Sequence, residues 1–328
     1  MSKQSPKYVS VFIPTFNGEK YLAETIEVVL GQDLPPGYQL EFLITDSGST
    51  DQTLSILEGY KDHVSLTQIS NSAFGHGKTR SQAAHKAKGD FILFLSQDAT
   101  PANNRWIINM LEPFFLSEKV GCVFGKQNPR PDAAATIKRE VSSVFGSIGA
   151  PDSLIIHRYK SLVDQAATNP VNTFFSDVNS AARRDLLVGK VPFRDVQYAE
   201  DQALAEDMQK KGYLKAYAPL GEVWHSNEYS VREYYGRKFD EYIGLQESTK
   251  LTLSPSLRSL LLGWIRPTLA DYTFIRHDPD YGPKSKLLWY LKSPFYNLAL
   301  QGGKYQAARH FSNLSARQKI SLEAKLRR

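Results

Sequence analysis

Short apolar runs alternate with helix-spaced segments along the first third of the chain, and each run ends in a cluster of small polar side chains. Tyr8-Val-Ser-Val-Phe-Ile13 has the length and composition of a buried strand and stops at Pro14. Gly18 to Leu30 places Leu22, Ile26, Val29 and Leu30 on one helical face. Leu40 to Thr45 predicts a second strand ending at Asp46, and Val64 to Ile69 a third. Lys78 to Lys88 is helical and stops at Gly89. Phe91 to Leu95 predicts a fourth strand, followed by Ser96-Gln97-Asp98-Ala99. Trp106 to Leu116 predicts a helix and Val120 to Phe124 a fifth strand. This alternation implies βαβ units and a doubly wound, mainly parallel α/β sheet flanked by helices. In such sheets the ligand sits beyond the carboxyl ends of the strands. Thr15, Asn17, Asp46 and Asp98 all fall at those ends.

Further along, the pattern is less regular. Ala133 to Lys160 is expected to be helical around a flexible Gly146–Pro151 stretch. Phe174 to Val178 and Leu214 to Ala218 are expected strands, and Asp201 to Lys211 a helix closed by Gly212. A change of character near residue 250 divides the chain into an α/β domain, 1–250, and a basic helical region, 251–328. The net charge is +6. Residues 251–328 hold 13 Lys/Arg against 4 Asp/Glu, or +9, which leaves −3 for the rest. In this tail Ser254-Pro255 predicts a helix start, and Leu257, Leu260, Leu261, Trp264 and Ile265 share one face. A second such face follows Pro283, with Leu287, Leu288, Leu291 and Phe295 and a kink at Pro294. Ser315-Ala-Arg-Gln318 fits a capping box. A single cysteine, Cys122, sits in an apolar run and cannot form an internal disulfide. The polar first residues lack a signal-peptide pattern, and no apolar run approaches the roughly 20 residues of a membrane span. The expectation is a cytoplasmic protein whose basic tail either touches the cytoplasmic face of the inner membrane or packs on protein, in this chain or in a homo-oligomer. Nucleic acid is excluded as a partner, because stacking aromatics are not interleaved with the basic residues.

Asp98 follows an apolar strand directly, which places a hard oxygen ligand at the sheet edge. His225 could supply a second, borderline ligand suited to Mn²⁺, or serve as a structural histidine. Asp46, Ser47 and Asp51 could bind a base or ribose, or cap the helix that follows. Glu200-Asp201 opens a helix, so it could furnish a general base or merely complement the helix dipole.

The combination Val11-Phe-Ile-Pro14-Thr15-Phe16-Asn17, Asp46-Ser-Gly-Ser-Thr-Asp51, Gly89-Asp90 to Asp98-Ala99 and Glu200-Asp201 resembles the inverting family 2 glycosyltransferases, whose fold is termed GT-A. Within that family the likeness is to bacterial rhamnosyltransferases. It rests on Phe74-Gly-His76-Gly77-Lys-Thr79-Arg80, Gln97-Asp98-Ala99-Thr-Pro101, Ser176-Asp177-Val-Asn179 to Arg184, Ala199-Glu200-Asp201-Gln202 and Val223-Trp-His225-Ser226. It spans about residues 8 to 248. Gln97 stands where an Asp-x-Asp metal motif is usual, Ser81 where Asn is expected, and Asp46-Ser-Gly inverts a more usual Asp-Gly-Ser order.

The resemblance implies that Pro14, Thr15, Asn17, Asp46, Ser47 and Gln97 surround the donor nucleotide. Arg80 would lie near the nucleotide or orient Asp46. Asp98 and His225 would ligate Mn²⁺ or Mg²⁺, and Asp201 would be the base. His76, Asp177, Asn179 and Glu200 would line the donor sugar or acceptor. The implied partners are dTDP-β-L-rhamnose and a saccharide or lipid-linked saccharide of bacterial surface polysaccharide. The alternatives are a UDP-hexose or UDP-N-acetylhexosamine donor, or a catalytically silent nucleotide-sugar-binding subunit. A nucleotidyltransferase would want a Gly-rich basic loop after the first strand, and Pro14-Thr-Phe-Asn-Gly18 is not one.

Overall fold

The computed structural model describes residues 6–158, 174–196, 199–249 and 257–326. Ser254-Pro255 and Gln197-Tyr198 lie outside the described residues. Contacts divide the chain into two compact units, Met1–Asn128 with Val144–His225, and Pro129–Ser143 with Ser226–Arg328.

Among the described residues the first unit is built on a nine-stranded sheet. Its strands are β1 (Lys7–Thr15), β2 (Tyr38–Asp46), β3 (Ser65–Gln68), β4 (Phe91–Leu95), β5 (Thr100–Pro101), β6 (Val120–Asn128), β7 (Ile155–His157), β8 (Asn179–Arg183) and β9 (Leu214–Trp224). Their order is β3-β2-β1-β4-β8-β6-β9-β5, with β7 paired to β9 off this path. From β3 to β4 all pairings are parallel, and β6 and β9 are also parallel. The run Phe91–Leu95 is buried at every position, as an interior strand covered on both faces must be. Helices α1 (Leu22–Leu30), α2 (Thr53–Gly59), α3 (His76–Lys86), α4 (Trp106–Leu116) and α6 (Glu200–Lys210) flank the sheet, and α5 spans Ala135–Gly146. The core gathers Val9, Val11 and Ile13 of β1, Leu93 and Leu95 of β4, and Trp106, Ile107 and Met110 of α4.

Several boundaries differ from expectation for identifiable reasons. Strand β1 runs through Pro14 to Thr15, because the ladder to β4 ends at Phe12 while that to β2 continues to Asp46, leaving Pro14 paired on one side only. Phe174-Phe175 is not a strand. Both rings pack edge-on against Phe124, at 5.7 and 5.8 Å between centroids, without entering a ladder. The strand is Asn179–Arg183. It runs antiparallel between β4 and β6, with Leu95 opposite Asn179. An antiparallel strand starts where its parallel neighbours stop. Asp177, just before β8, therefore lies at the carboxyl edge of β4.

The second unit contains α7 (Val231–Thr249), α8 (Leu257–His277), α9 (Pro283–His310), α10 (Leu314–Ile320) and α11 (Leu322–Leu326). Ile137, Tyr234, Tyr296 and Ala299 form its core. Pro283 opens α9 and Pro294 lies inside it. The cap of α10 is Asn313, which accepts from Ala316 N at 3.0 Å, rather than Ser315. Asp271 is fully buried. Its carboxylate accepts from Thr136 Oγ1 at 2.7 Å, Ser293 Oγ at 2.5 Å, Asn297 Nδ2 at 2.6 Å and the Arg139 guanidinium. Asp271→Ala strands four donors, one of them charged, so urea unfolding is expected to show a loss of about 3–5 kcal/mol. Asp271→Asn should recover part of it.

Candidate active site

Two loops at the carboxyl edge, after β1 and after β2, are laced together by short side chains. Asn17 N donates to Ser49 Oγ at 2.9 Å, and Asn17 Oδ1 accepts from Thr50 N at 2.8 Å. Gly18 N donates to Thr53 Oγ1 at 2.8 Å. Ser47 donates twice to Thr15 O, from its amide at 2.9 Å and its hydroxyl at 3.1 Å. The buried Asp46 carboxylate accepts from Gly48 N at 2.9 Å, Ser49 N at 3.1 Å and Ser49 Oγ at 2.5 Å. Asp46 thus shapes its own turn, an Asx arrangement, and Gly48 completes it at φ 86°. Asp51 Oδ1 accepts from the amide of Thr53, the first residue of α2, at 3.0 Å, while the cap position itself is held by Gln52.

Gln97 ties these loops to the end of β4. Its Oε1 accepts from Thr15 Oγ1 at 2.6 Å and Phe16 N at 2.8 Å, and its Nε2 donates to Phe16 O at 3.0 Å. A Cβ at Gly18 would sit 2.7 Å from that Oε1, so only glycine lets the loop close against Gln97. Among these residues Pro14 is half-buried and Asn17 exposed, while Thr15, Asp46 and Ser47 are buried.

Asp98 and His225 converge, with Nε2 to Oδ2 at 3.5 Å. They come together because β9 carries His225 past the end of β6, where His225 N donates to Asn128 O at 2.9 Å, and because β5, next after Asp98, pairs with Trp224. Burial alone would raise the Asp98 carboxyl, but the charge and hydrogen bond of His225 outweigh it and hold the pKa at about 2. His225 Nδ1 is buried with no hydrogen-bond partner among the described residues. Among the described residues no third Asp, Glu, His or Cys joins the pair. An ionised carboxylate and a borderline imidazole whose Nε2 faces it fit a divalent cation that takes its remaining ligands from a diphosphate.

A second polar cluster surrounds Arg80 on α3. Arg80 Nη1 donates to Glu200 Oε1 at 2.8 Å and to His76 O at 3.2 Å, and its Nε lies 3.1 Å from Asp177 Oδ2. Its partners are therefore Glu200 of α6 and Asp177, just before β8, and not Asp46. Asp177 Oδ1 also accepts from Ser180 Oγ at 2.6 Å. His76 Nδ1 approaches Glu200 Oε1 at 4.0 Å, its ring edge-on to Phe74. Asp201 accepts from Asp177 N at 3.3 Å and Gln202 N at 2.7 Å, and it remains partly exposed. Burial, then the charges of Glu200 and Asp177, push the Asp201 carboxyl well above the usual carboxylate range. Burial likewise raises Asp177, opposed by Arg80.

The two clusters share one sheet edge. Ser96 N, two residues before Asp98, donates to Val178 O at 3.2 Å, and Asp177 precedes Val178. Asn179 is not brought to this surface. It is fully buried, accepting from Trp106 Nε1 at 2.9 Å and donating to Gly221 O at 2.7 Å and Lys126 O at 3.1 Å. Two residues lie within the motifs but have no role that the sequence assigns. Ser49 bridges Asn17 and Asp46. Ala199, just before Glu200, is held at φ 61°, ψ 31°, and only Asn17 joins it as a non-glycine residue of positive φ among the described residues. Strain of this kind gathers at functional sites.

The Glycosyl transferase family 2 profile matches residues 10–188, more than half of the chain. The chain belongs to this family of glycosyltransferases and carries its GT-A fold. It is 29% identical over 234 residues to the O-antigen chain rhamnosyltransferase RfbN of Salmonella typhimurium, covering 71% of this chain and 70% of that protein. It is 31% identical over 235 residues to WbaN of Salmonella anatum, another O-antigen chain rhamnosyltransferase, covering 70% of each. In fold it is similar to the mannosyltransferase PcManGT of Pyrobaculum calidifontis, solved with GDP-Man and Mn²⁺ (TM-score 0.61, 17% identity, 94% of this chain and 88% of that one).

The geometry separates a framework role for Asn179 from ligand contact. Asn179→Ala leaves Trp106 Nε1 and two carbonyls without partners. The expected result is a stability loss of about 2–4 kcal/mol in urea, with nucleotide affinity of the folded protein unchanged by titration calorimetry.

Proposed function

We propose that this chain transfers L-rhamnose, with inversion, from dTDP-β-L-rhamnose to a saccharide acceptor of bacterial surface polysaccharide. The observation that carries the reaction class is the shared sheet edge: a cation-competent Asp98–His225 pair beside an acid cluster that ends in Asp201. The choice of sugar is supported by the two rhamnosyltransferase relatives. A UDP-linked donor is the second reading. It is favoured by a 40% identity over 91 residues, 27% of this chain, to the poly(ribitol-phosphate) β-N-acetylglucosaminyltransferase TarS of Staphylococcus aureus.

In this reading the laced loops after β1 and β2 receive the nucleoside, with Asn17 the exposed member. Asp98 and His225 would hold a divalent cation, which supplies charge neutralisation to the departing diphosphate. Asp201 takes the proton of the acceptor hydroxyl as that oxygen attacks the anomeric carbon and the bond to diphosphate breaks. One base suffices, because the leaving diphosphate needs no proton. Arg80 keeps Asp177 and Glu200 in place beside that base.

Nucleotide-diphosphate release measured across a donor panel tests the sugar: dTDP-rhamnose is expected to lead, and a leading UDP-sugar would hand the assignment to the second reading. Asp201→Asn is expected to lose roughly 10²-fold or more in kcat with donor affinity retained. Normal turnover in that variant removes Asp201 from its role.

The pH dependence has a definite sign. The base must be ionised, so kcat/KM falls as pH drops through the raised pKa of Asp201, and the acidic limb should lie above the ordinary carboxylate range. Asp177→Asn removes a neighbouring negative charge, so the limb should move to lower pH. A limb that stays in place argues against the pairing of these two carboxyls.

A further inference from the structure

Helices α8 and α9 pack as an antiparallel hairpin. Trp264 Nε1 donates to Pro294 O at 2.8 Å, and the rings of Tyr272 and Tyr290 meet at 5.2 Å. One face of the hairpin is used by Asp271, Ser293 and Asn297 inside the unit. The other is apolar and open. On α9, Leu287 and Leu291 are each 64% exposed, Phe295 60% and Leu298 53%. These positions are spaced by four, four and three residues, which keeps them on one side of the helix. On α8, Leu261, Ile265 and Leu269 repeat the spacing and are also exposed. A contiguous exposed apolar surface of this kind marks an interaction site.

Charge identifies the partner. The two helices carry eight Lys/Arg, and their sole acidic residue, Asp271, is buried. Arg258 and Arg276 lie in line with the apolar stripe of α8, towards its two ends, and Lys284 and Lys292 lie along that of α9. Arg258, Arg266, Arg276 and Lys284 have no carboxylate partner among the described residues. No helix among the described residues is long and apolar enough to cross a membrane. An apolar stripe with a cationic fringe and no acidic residue suits an anionic interface, with the leucines entering the acyl boundary and the cations meeting headgroup phosphates. A second copy fits less well, since a two-fold contact through this face would set the same cations against each other.

We propose that the outer face of the α8–α9 hairpin docks in the plane of an anionic lipid surface. This goes beyond the transfer reaction and holds for any donor. The test is flotation of the full chain with vesicles of phosphatidylcholine alone and of phosphatidylcholine containing phosphatidylglycerol. Flotation is expected with the anionic vesicles only, weakening roughly tenfold or more on going to high salt. Leu291→Glu with Phe295→Glu should abolish it while the circular-dichroism melt is unchanged. The charge reversal Lys284→Glu with Lys292→Glu, which leaves every apolar side chain in place, should reduce it in the same direction. Absence of flotation, equal flotation on neutral vesicles, or binding indifferent to both variant pairs overturns the proposal. So does a sedimentation-equilibrium dimer that Leu291→Glu with Phe295→Glu converts to monomer, which would assign the face to a second copy.

Discussion

One guanidinium governs the acid cluster at the carboxyl edge of the sheet. Arg80 sits where Asp177 and Glu200 would otherwise repel each other in a buried setting, with Asp201 adjoining both. Buried carboxylates tolerate such proximity only when a cation or hydrogen bonds compensate. Because Asp177 precedes β8, Glu200 opens α6 and Arg80 lies on α3, this one side chain fixes three distant segments to each other. The price is that the site and the fold cannot be varied separately there: a change at Arg80 disturbs packing and protonation together.

In the loops after β1 and β2 the work is divided among many weak contacts. Ser, Thr, Asn and Asp side chains of two loops bond each other's backbones, and Gln97 joins them to β4. Each bond is modest alone, about 1 kcal/mol, but together they define the loops before any ligand arrives. Preorganisation of this kind lets binding energy go to the ligand instead of to ordering the chain.

Much of this was legible in the residues because periodicity and edge placement are local signals. The runs Val9–Ile13 and Phe91–Leu95 announced interior strands, and Asp98 announced a polar residue at a strand end. What could not be read depends on partners distant in the chain. Gln97 and Asp46 look like ligand contacts in a motif, but their bonds to Thr15, Phe16 and Ser49 also hold the loops. Asn179 belongs to a polar motif, yet its neighbour Trp106 lies 73 positions away and keeps it inside. Phe174-Phe175 mimics a strand because burial and ladder pairing leave the same apolar mark on a sequence. Asn313 took the cap from Ser315 for a similar reason, since both residue types suit that position.

Ala199 has a consequence for the durability of the molecule. Asn17 is of a type that tolerates left-handed backbone, whereas alanine is disfavoured there by roughly 1–2 kcal/mol. That tension sits in the peptide directly ahead of Glu200 and Asp201. Selection for heat tolerance in the laboratory would find asparagine at this place an easy gain, and a relaxed turn would aim the acidic pair less firmly. Thermal robustness and the aim of this acidic pair are set against each other at a single residue.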